Sequence, residues 1–145
     1  MPLTGEYVPS PYAPVREQVE LYERSGGREG GTLQGRPVVV MWTLGARSGS
    51  IRKTPLSRVE HDGRYAVMAS AAGAPKHPVW YHNLLAHPLV ELQDGPVRRD
   101  FTAREVDGEE RETWRRRVLD VWPALTEYEA RAPRVIPLLV LTPVD

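Results

Sequence analysis

The chain contains no cysteine in its 145 residues. Disulfides, thiolate metal sites and a cysteine nucleophile are therefore excluded. No run of about 18 apolar residues occurs, so no helix is expected to span a bilayer. The N-terminus lacks the basic-then-apolar pattern of a secretory leader, and the expected location is the cytoplasm. Net charge is missing too, because 19 basic residues balance 19 acidic ones. A neutral chain is not expected to bind nucleic acid in general. Lysine is scarce: of the basic residues only Lys53 and Lys76 are not arginine. That bias is as well explained by genome composition as by chemistry. There is no repeat and no low-complexity tract.

What remains is enough for one domain, with 41% hydrophobic residues to build a core. The zero net charge hides an asymmetry. Between Gln34 and His77 stand Arg36, Arg47, Arg52, Lys53, Arg58, Arg64 and Lys76, opposed only by Glu60 and Asp62. Between Asp100 and Glu129 the balance is reversed, with nine acids against five arginines. A local positive field favours an anionic ligand.

Residues 1–12, with three prolines, read as an irregular arm. Val15, Val19 and Tyr22 recur at helical spacing and predict a short amphipathic helix over 14–24, stopped by Gly26-Gly27. Residues 37–44 (PVVVMWTL) read as a buried strand. Asp62-Gly63 and Asp94-Gly95 each separate two strand-like runs and predict hairpins. Pro96 lacks an N–H, so the second turn is expected to be longer, or its strand an edge. Asp107 with Glu110 predicts a capping box opening a helix to about Val121, with Trp114, Val118, Val121 and Trp122 on one face. A short helix to Ala130 and a buried strand over 135–141 complete the chain. Two antiparallel hairpins with clustered helices give an α+β class and a small barrel. The expected division is an arm and helix over 1–30 and a barrel domain over 31–145.

Two stretches carry chemistry. Residues 45–56 (GARSGSIRKTPL) crowd Arg47, Arg52 and Lys53 around Ser48-Gly49. Successive backbone N–H groups there can form an anion-binding nest, and arginines grip phosphate or carboxylate by paired hydrogen bonds. Residue types alone leave two readings open, a ligand turn and an ordinary solvated basic loop. Residues 74–84 (APKHPVWYHNL) open a helix with Pro78 and load it with Trp80, Tyr81, His82 and Asn83. His77, His82 and His87 are five apart, which puts neighbours on different helix faces, and no acid accompanies them, so no metal site is expected. A hydrolase is not expected either. Ser48 is misplaced for a nucleophile elbow, and His61 and Asp62 share a turn.

In order and spacing these stretches resemble the deazaflavin-dependent nitroreductase family, whose members bind the flavin-like coenzyme F420. The resemblance covers most of the chain from about Leu44 onward. Arg47, Ser48, Gly49, Arg52, Thr54, Pro55 and Leu56 satisfy the first family pattern. Ala69, Ser70, Gly73, Ala74, Pro75, Lys76, Pro78, Trp80, Tyr81 and Asn83 satisfy the second. The resemblance implies a split β-barrel of the FMN-binding type, an antiparallel barrel of six or seven strands with a few flanking helices. It implies that Ala46, Arg47, Ser48, Gly49, Arg52, Lys53, Thr54, Pro55 and Leu56 contact the cofactor from the first turn. Met68, Ala69, Ser70, Ala71, Lys76, Val79, Trp80, Tyr81, His82 and Asn83 would contact it from the second. Two departures stand out. Ala71-Ala72 replaces the family's Lys-Gly, and residues 122–128 keep only Tyr128 of a tyrosine pattern, with Trp122 and Leu125 instead.

The implied activity is hydride transfer from reduced F420 to a small electron acceptor, quinone-like or nitroaromatic. Trp122, Leu125 and Tyr128 would form the substrate pocket, and Tyr128, Ser70 or water would deliver the proton. An FMN reductase of the same fold and a non-catalytic F420 carrier remain as alternatives. A homodimer is expected from the short chain, and a peripheral membrane contact through the N-terminal helix is a further expectation.

Overall fold

The structure, a computed structural model, describes residues 3–144. Met1 and Pro2 of the expected arm lie outside the described residues. The elements run α1 (Ala13–Ser25), β1 (Thr32–Leu33), β2 (Arg36–Leu44), β3 (Ile51–Ser57), β4 (Glu60–His61), β5 (Arg64–Met68), α2 (Val79–Ala86), β6 (Leu89–Asp94), β7 (Val97–Glu105), α3 (Gly108–Val121), α4 (Leu125–Arg131) and β8 (Leu138–Pro143). One antiparallel sheet runs β1-β2-β6-β7-β8-β5-β4, and β3 adds to β2. Six of the strands have five or more residues, while β1 and β4 have two each.

The uninterrupted apolar runs arise because the sheet is covered on both faces. Side chains alternate along a strand. On β2, Val39 and Met41 enter an inner cluster with Leu92, Phe101 and Leu139. Val38 and Val40 point the other way, onto Val19 and Tyr22 of α1. On β8, Leu139 and Leu141 face the inner cluster, and Leu138 and Val140 meet Trp114, Val118 and Leu125 of α3 and α4. Helix α1 therefore commits its apolar face to the sheet. Its exposed residues include Glu17, Glu20 and Arg24.

Four expectations need correction. The second hairpin turn is tight: Asp94 pairs with Val97, and Gly95 takes φ +61° ahead of Pro96. A positive φ at the first of two turn residues suits a II′ turn, whose second position needs no free N–H. Nor is β7 an edge, since β6 and β8 flank it. The capping box does not close, because Asp107 makes no side-chain cap bond and Glu110 is held by both Arg104 nitrogens at 2.8 and 2.7 Å. The last strand begins at Leu138, three residues late, and Val135 is exposed. The arm is ordered onto the sheet: Val8 N–H donates to Ile51 O, and Ile51 N–H to Glu6 O.

Candidate functional site

Strand β3 organises the site, because its two ends carry different chemistry. At its N-terminal end lies the 45–50 turn. Gly45 N–H donates to Ser50 O, Gly49 N–H to Gly45 O, and Ser50 N–H to Ser48 Oγ. These bonds leave the N–H groups of Arg47 and Ser48 without an acceptor among the described residues. The free donors are thus those of Arg47 and Ser48, one residue earlier than the Ser48-Gly49 pair expected from the sequence. Ala46 N–H donates to the buried Asn83 Oδ1 at 2.9 Å, which pins the turn to α2. This bond uses the Ala46 N–H and the Asn83 Oδ1 acceptor, and leaves the Asn83 amide N–H donors out of it.

Strand alternation then sorts the basic residues. Arg52, Thr54 and Leu56 pair with Thr43, Met41 and Val39, so these form one strip on the inner face. Lys53 pairs with Trp42 and faces α1 instead. Its Nζ lies 2.7 Å from Glu23 Oε1 and about 4 Å from the rings of Tyr7 (4.0 Å) and Trp42 (4.1 Å). Lys53, expected at the cofactor, joins the arm and helix to the sheet. Neither Arg47 nor Arg52 has an ion pair among the described residues. Lys76 is exposed and equally unpaired.

At the other end of β3 is a cavity of about 260 Å³. Pro55, Leu56 and Ser57 of β3, Met68 at the end of β5 and Ser70 after it, Trp122 just after α3 and Tyr128 of α4 line it. Leu33, Gln34 and Arg36 of the β1–β2 hairpin close one side. The Trp122 and Tyr128 rings lie 4.9 Å apart. Trp122 is buried, and its indole N–H has no partner among the described residues. Thr43 Oγ1, buried on the inner strip, is likewise unpartnered. From Arg52 to Leu56 the strand covers about 13 Å at roughly 3.3 Å per residue. An elongated ligand with an anionic tail and a flat head matches this spacing.

The other expected residues divide by exposure. Leu125 is fully buried in the core and does not line the cavity, so it cannot form a substrate wall. Ala69 is also fully buried. Trp80 and Tyr81 pack against the inner cluster, while Val79 and His82 are exposed. Tyr81 donates its hydroxyl to Glu105 Oε1 at 2.5 Å. That bond, with burial second, pushes the phenol up to about 12. Ala71 adopts φ +46°, a left-handed conformation uncommon for a residue with a Cβ.

Sequence reasoning missed Arg134. From the loop before β8 it donates to Ser70 O (2.9 Å), Ala74 O (3.0 Å) and His77 Nδ1 (2.8 Å). This one side chain holds the 70–77 loop in place. Arginine has no acceptor to offer, so His77 Nδ1 must be unprotonated here. Burial and the neighbouring guanidinium both lower the His77 pKa. Arg36, Gln34, Ser57, Val59 and Val67 were also missed as cavity residues. No sequence signal marks Arg134, since its partners are backbone carbonyls 60 and 64 residues away.

Comparison with known proteins agrees with this geometry. Residues 14–143 match the family model described as F420H(2)-dependent quinone reductase. An F420H(2)-dependent quinone reductase of Mycobacterium tuberculosis is 35% identical over 126 residues, covering 84% of this chain and 85% of the relative. A solved F420-H2 dependent reductase, FDR-A, is 47% identical with a TM-score of 0.69, over 73% of this chain and 94% of that one. A second solved relative, described as a domain-swapped dimer, is 45% identical with a TM-score of 0.71, over 91% and 99%. The fold is the split barrel of these reductases, and the chain belongs to the F420H(2)-dependent quinone reductase family.

Proposed function

We propose that the chain holds coenzyme F420 along β3, with its anionic tail at the 45–52 turn and its ring in the cavity beside Ser70. The observation that carries this reading is the pair of unopposed cations, Arg47 and Arg52, at the end of the strand away from the cavity. Free N–H groups at Arg47 and Ser48 and the unpartnered Thr43 Oγ1 support it. When bound, the reduced cofactor supplies a hydride. The protein supplies position and electrostatics. Trp122, Val118 and Val59 give a flat apolar wall against which a planar quinone is oriented, and Tyr128 or Ser70 delivers the proton to the reduced acceptor. Arg134 keeps Ser70 in place.

We infer that the acceptor is a quinone rather than a bulky nitroaromatic, because the cavity is small and has a flat apolar wall at Trp122, Val118 and Val59. A membrane contact through α1 is disfavoured, because the helix's apolar face is already buried and its outer face carries glutamates. The protein is read as cytoplasmic, and a dimer as its assembly. Light scattering tests the last point.

The reading is tested by fluorescence titration with F420 and, separately, with flavin mononucleotide. Tighter binding of F420 is expected, and tighter binding of flavin mononucleotide would overturn the assignment. Consumption of reduced F420 should be faster with menadione than with a nitroimidazole. Equal rates would remove the cavity argument. F420 binding without turnover of either acceptor would make the protein a carrier.

A further inference from the structure

The cavity has one charged lining residue among the described residues, Arg36. It begins β2, directly after the Gln34-Gly35 turn, where both residues take positive φ (+51° and +78°). Its guanidinium stands 5.0 Å from the centre of the Trp122 ring. Nε donates to Ser57 Oγ at 3.1 Å and Nη1 to Gln34 Oε1 at 3.3 Å. Both acceptors are neutral. A guanidinium has five N–H donors, so most of its capacity is left over. Stacking on an aromatic face leaves the in-plane donors free.

Two half-buried arginines elsewhere show the contrast. Arg58 is held by Asp94, and Arg115 by Glu129. Arg36 has no carboxylate among the described residues and shares its cavity with Trp122, Tyr128 and aliphatic walls. It also stands at the Ser57 end of β3, five residues from Arg52, so it is separate from the cations assigned to the cofactor tail.

We propose that Arg36 binds the oxygen of the acceptor on which negative charge develops, and so favours quinones that pass through an anion. This rests on the quinone-reductase reading. The chemistry balances simply. The quinone gains two electrons and one hydrogen as hydride from the reduced cofactor, and becomes a hydroquinone monoanion. A proton from Tyr128, Ser70 or water then completes the hydroquinone, while the oxidised cofactor gives its remaining proton to solvent. Between these steps the oxyanion lies in a cavity whose one charged lining residue among the described residues is Arg36, and a guanidinium without a carboxylate is a strong partner there.

The test uses two ligands of one shape, neutral menadione and 2-hydroxy-1,4-naphthoquinone, whose enol is ionised at neutral pH. Binding to the purified protein without cofactor is measured by calorimetry, and ionisation of the bound enol by its visible absorption. The wild type should prefer the anion and hold its enol more acidic than in free solution. Arg36→Met should lose roughly ten- to a hundredfold in anion affinity, the range of a charge-assisted hydrogen bond, with little change for menadione. Arg36→Lys should recover part of it, which separates charge from folding. Equal loss of both ligands in Arg36→Met would make Arg36 a structural wall and overturn the proposal. So would a fall in F420 affinity with the anion preference intact. Failure of the wild type to bind F420 would overturn the family function instead, while the two-ligand comparison would still decide Arg36.

Discussion

Two groups of basic residues in this molecule have opposite surroundings. Around Asp94 every charge is answered. Arg58 Nε donates to both carboxylate oxygens, at 3.0 and 2.9 Å, and Tyr65 donates to Oδ2 at 2.6 Å. Close by, Gly95 N–H donates to the Tyr22 hydroxyl at 2.7 Å. Lys53 with Glu23 and Arg98 with Glu91 follow the same pattern, each also stacked on Trp42. By contrast, Arg36 at the start of β2, Arg47 in the 45–50 turn and Arg52 on the inner strip of β3 face no acid among the described residues. Positive charge left unpaired in the folded chain stabilises nothing by itself. We read it as the place where a bound ligand would supply the counter-charge.

The comparison breaks most easily at its paired side. Asp94→Ala leaves Arg58 and the Tyr65 hydroxyl without their shared acceptor, and should cost about 2 kcal/mol of stability. Denaturant unfolding checks this, and F420 affinity should not change. Lys53→Met keeps the stem between Tyr7 and Trp42 but removes the pair with Glu23. It should cost about 1 kcal/mol, again without effect on F420 affinity. A fall in affinity at Lys53 would mean that its side chain reaches the cofactor after all.

The smallest effect is on pH dependence. Burial first, then the Asp94 hydrogen bond, raises the pKa of Tyr65 above 10.0, the ordinary tyrosine value. The folded chain therefore keeps this proton while the unfolded chain loses it. Stability from this group is full below pH 10 and declines as pH rises above it. Tyr65→Phe should make the alkaline limb of a melting-temperature profile shallower. An unchanged limb would show that other groups set it.

Much of this arrangement was legible in the sequence. The Asp-Gly hairpins, the apolar runs of β2 and β8 and the Trp114–Val118–Trp122 face all follow from local periodicity. So do the basic turn and the Pro78 helix as motifs. Which side of β3 each residue takes did not follow. A one-residue change of register exchanges Arg52 with Lys53, and only the pairing with β2 fixes it. Leu125 was misjudged because substitution for a tyrosine does not show where the side chain points. Asp107 and Glu110 had the spacing of a capping box, but Arg104 from β7 competes for the glutamate. Arg36 and Arg134 were hidden for a shared reason. An arginine's role depends on whether an acid or a carbonyl lies opposite it in space, and sequence spacing does not show that.

We propose that the unpaired cations of the turn hold the cofactor and leave the fold untouched. The direct measurement is fluorescence titration of F420 into wild type and an Arg47→Ala/Arg52→Ala double variant, at low and high salt. Each lost contact should weaken binding by about 1–3 kcal/mol, and the salt dependence of the wild type should largely disappear in the variant. Melting temperatures should agree between the two proteins. Equal F420 affinity in both proteins would contradict the account and make the turn an ordinary solvated basic loop.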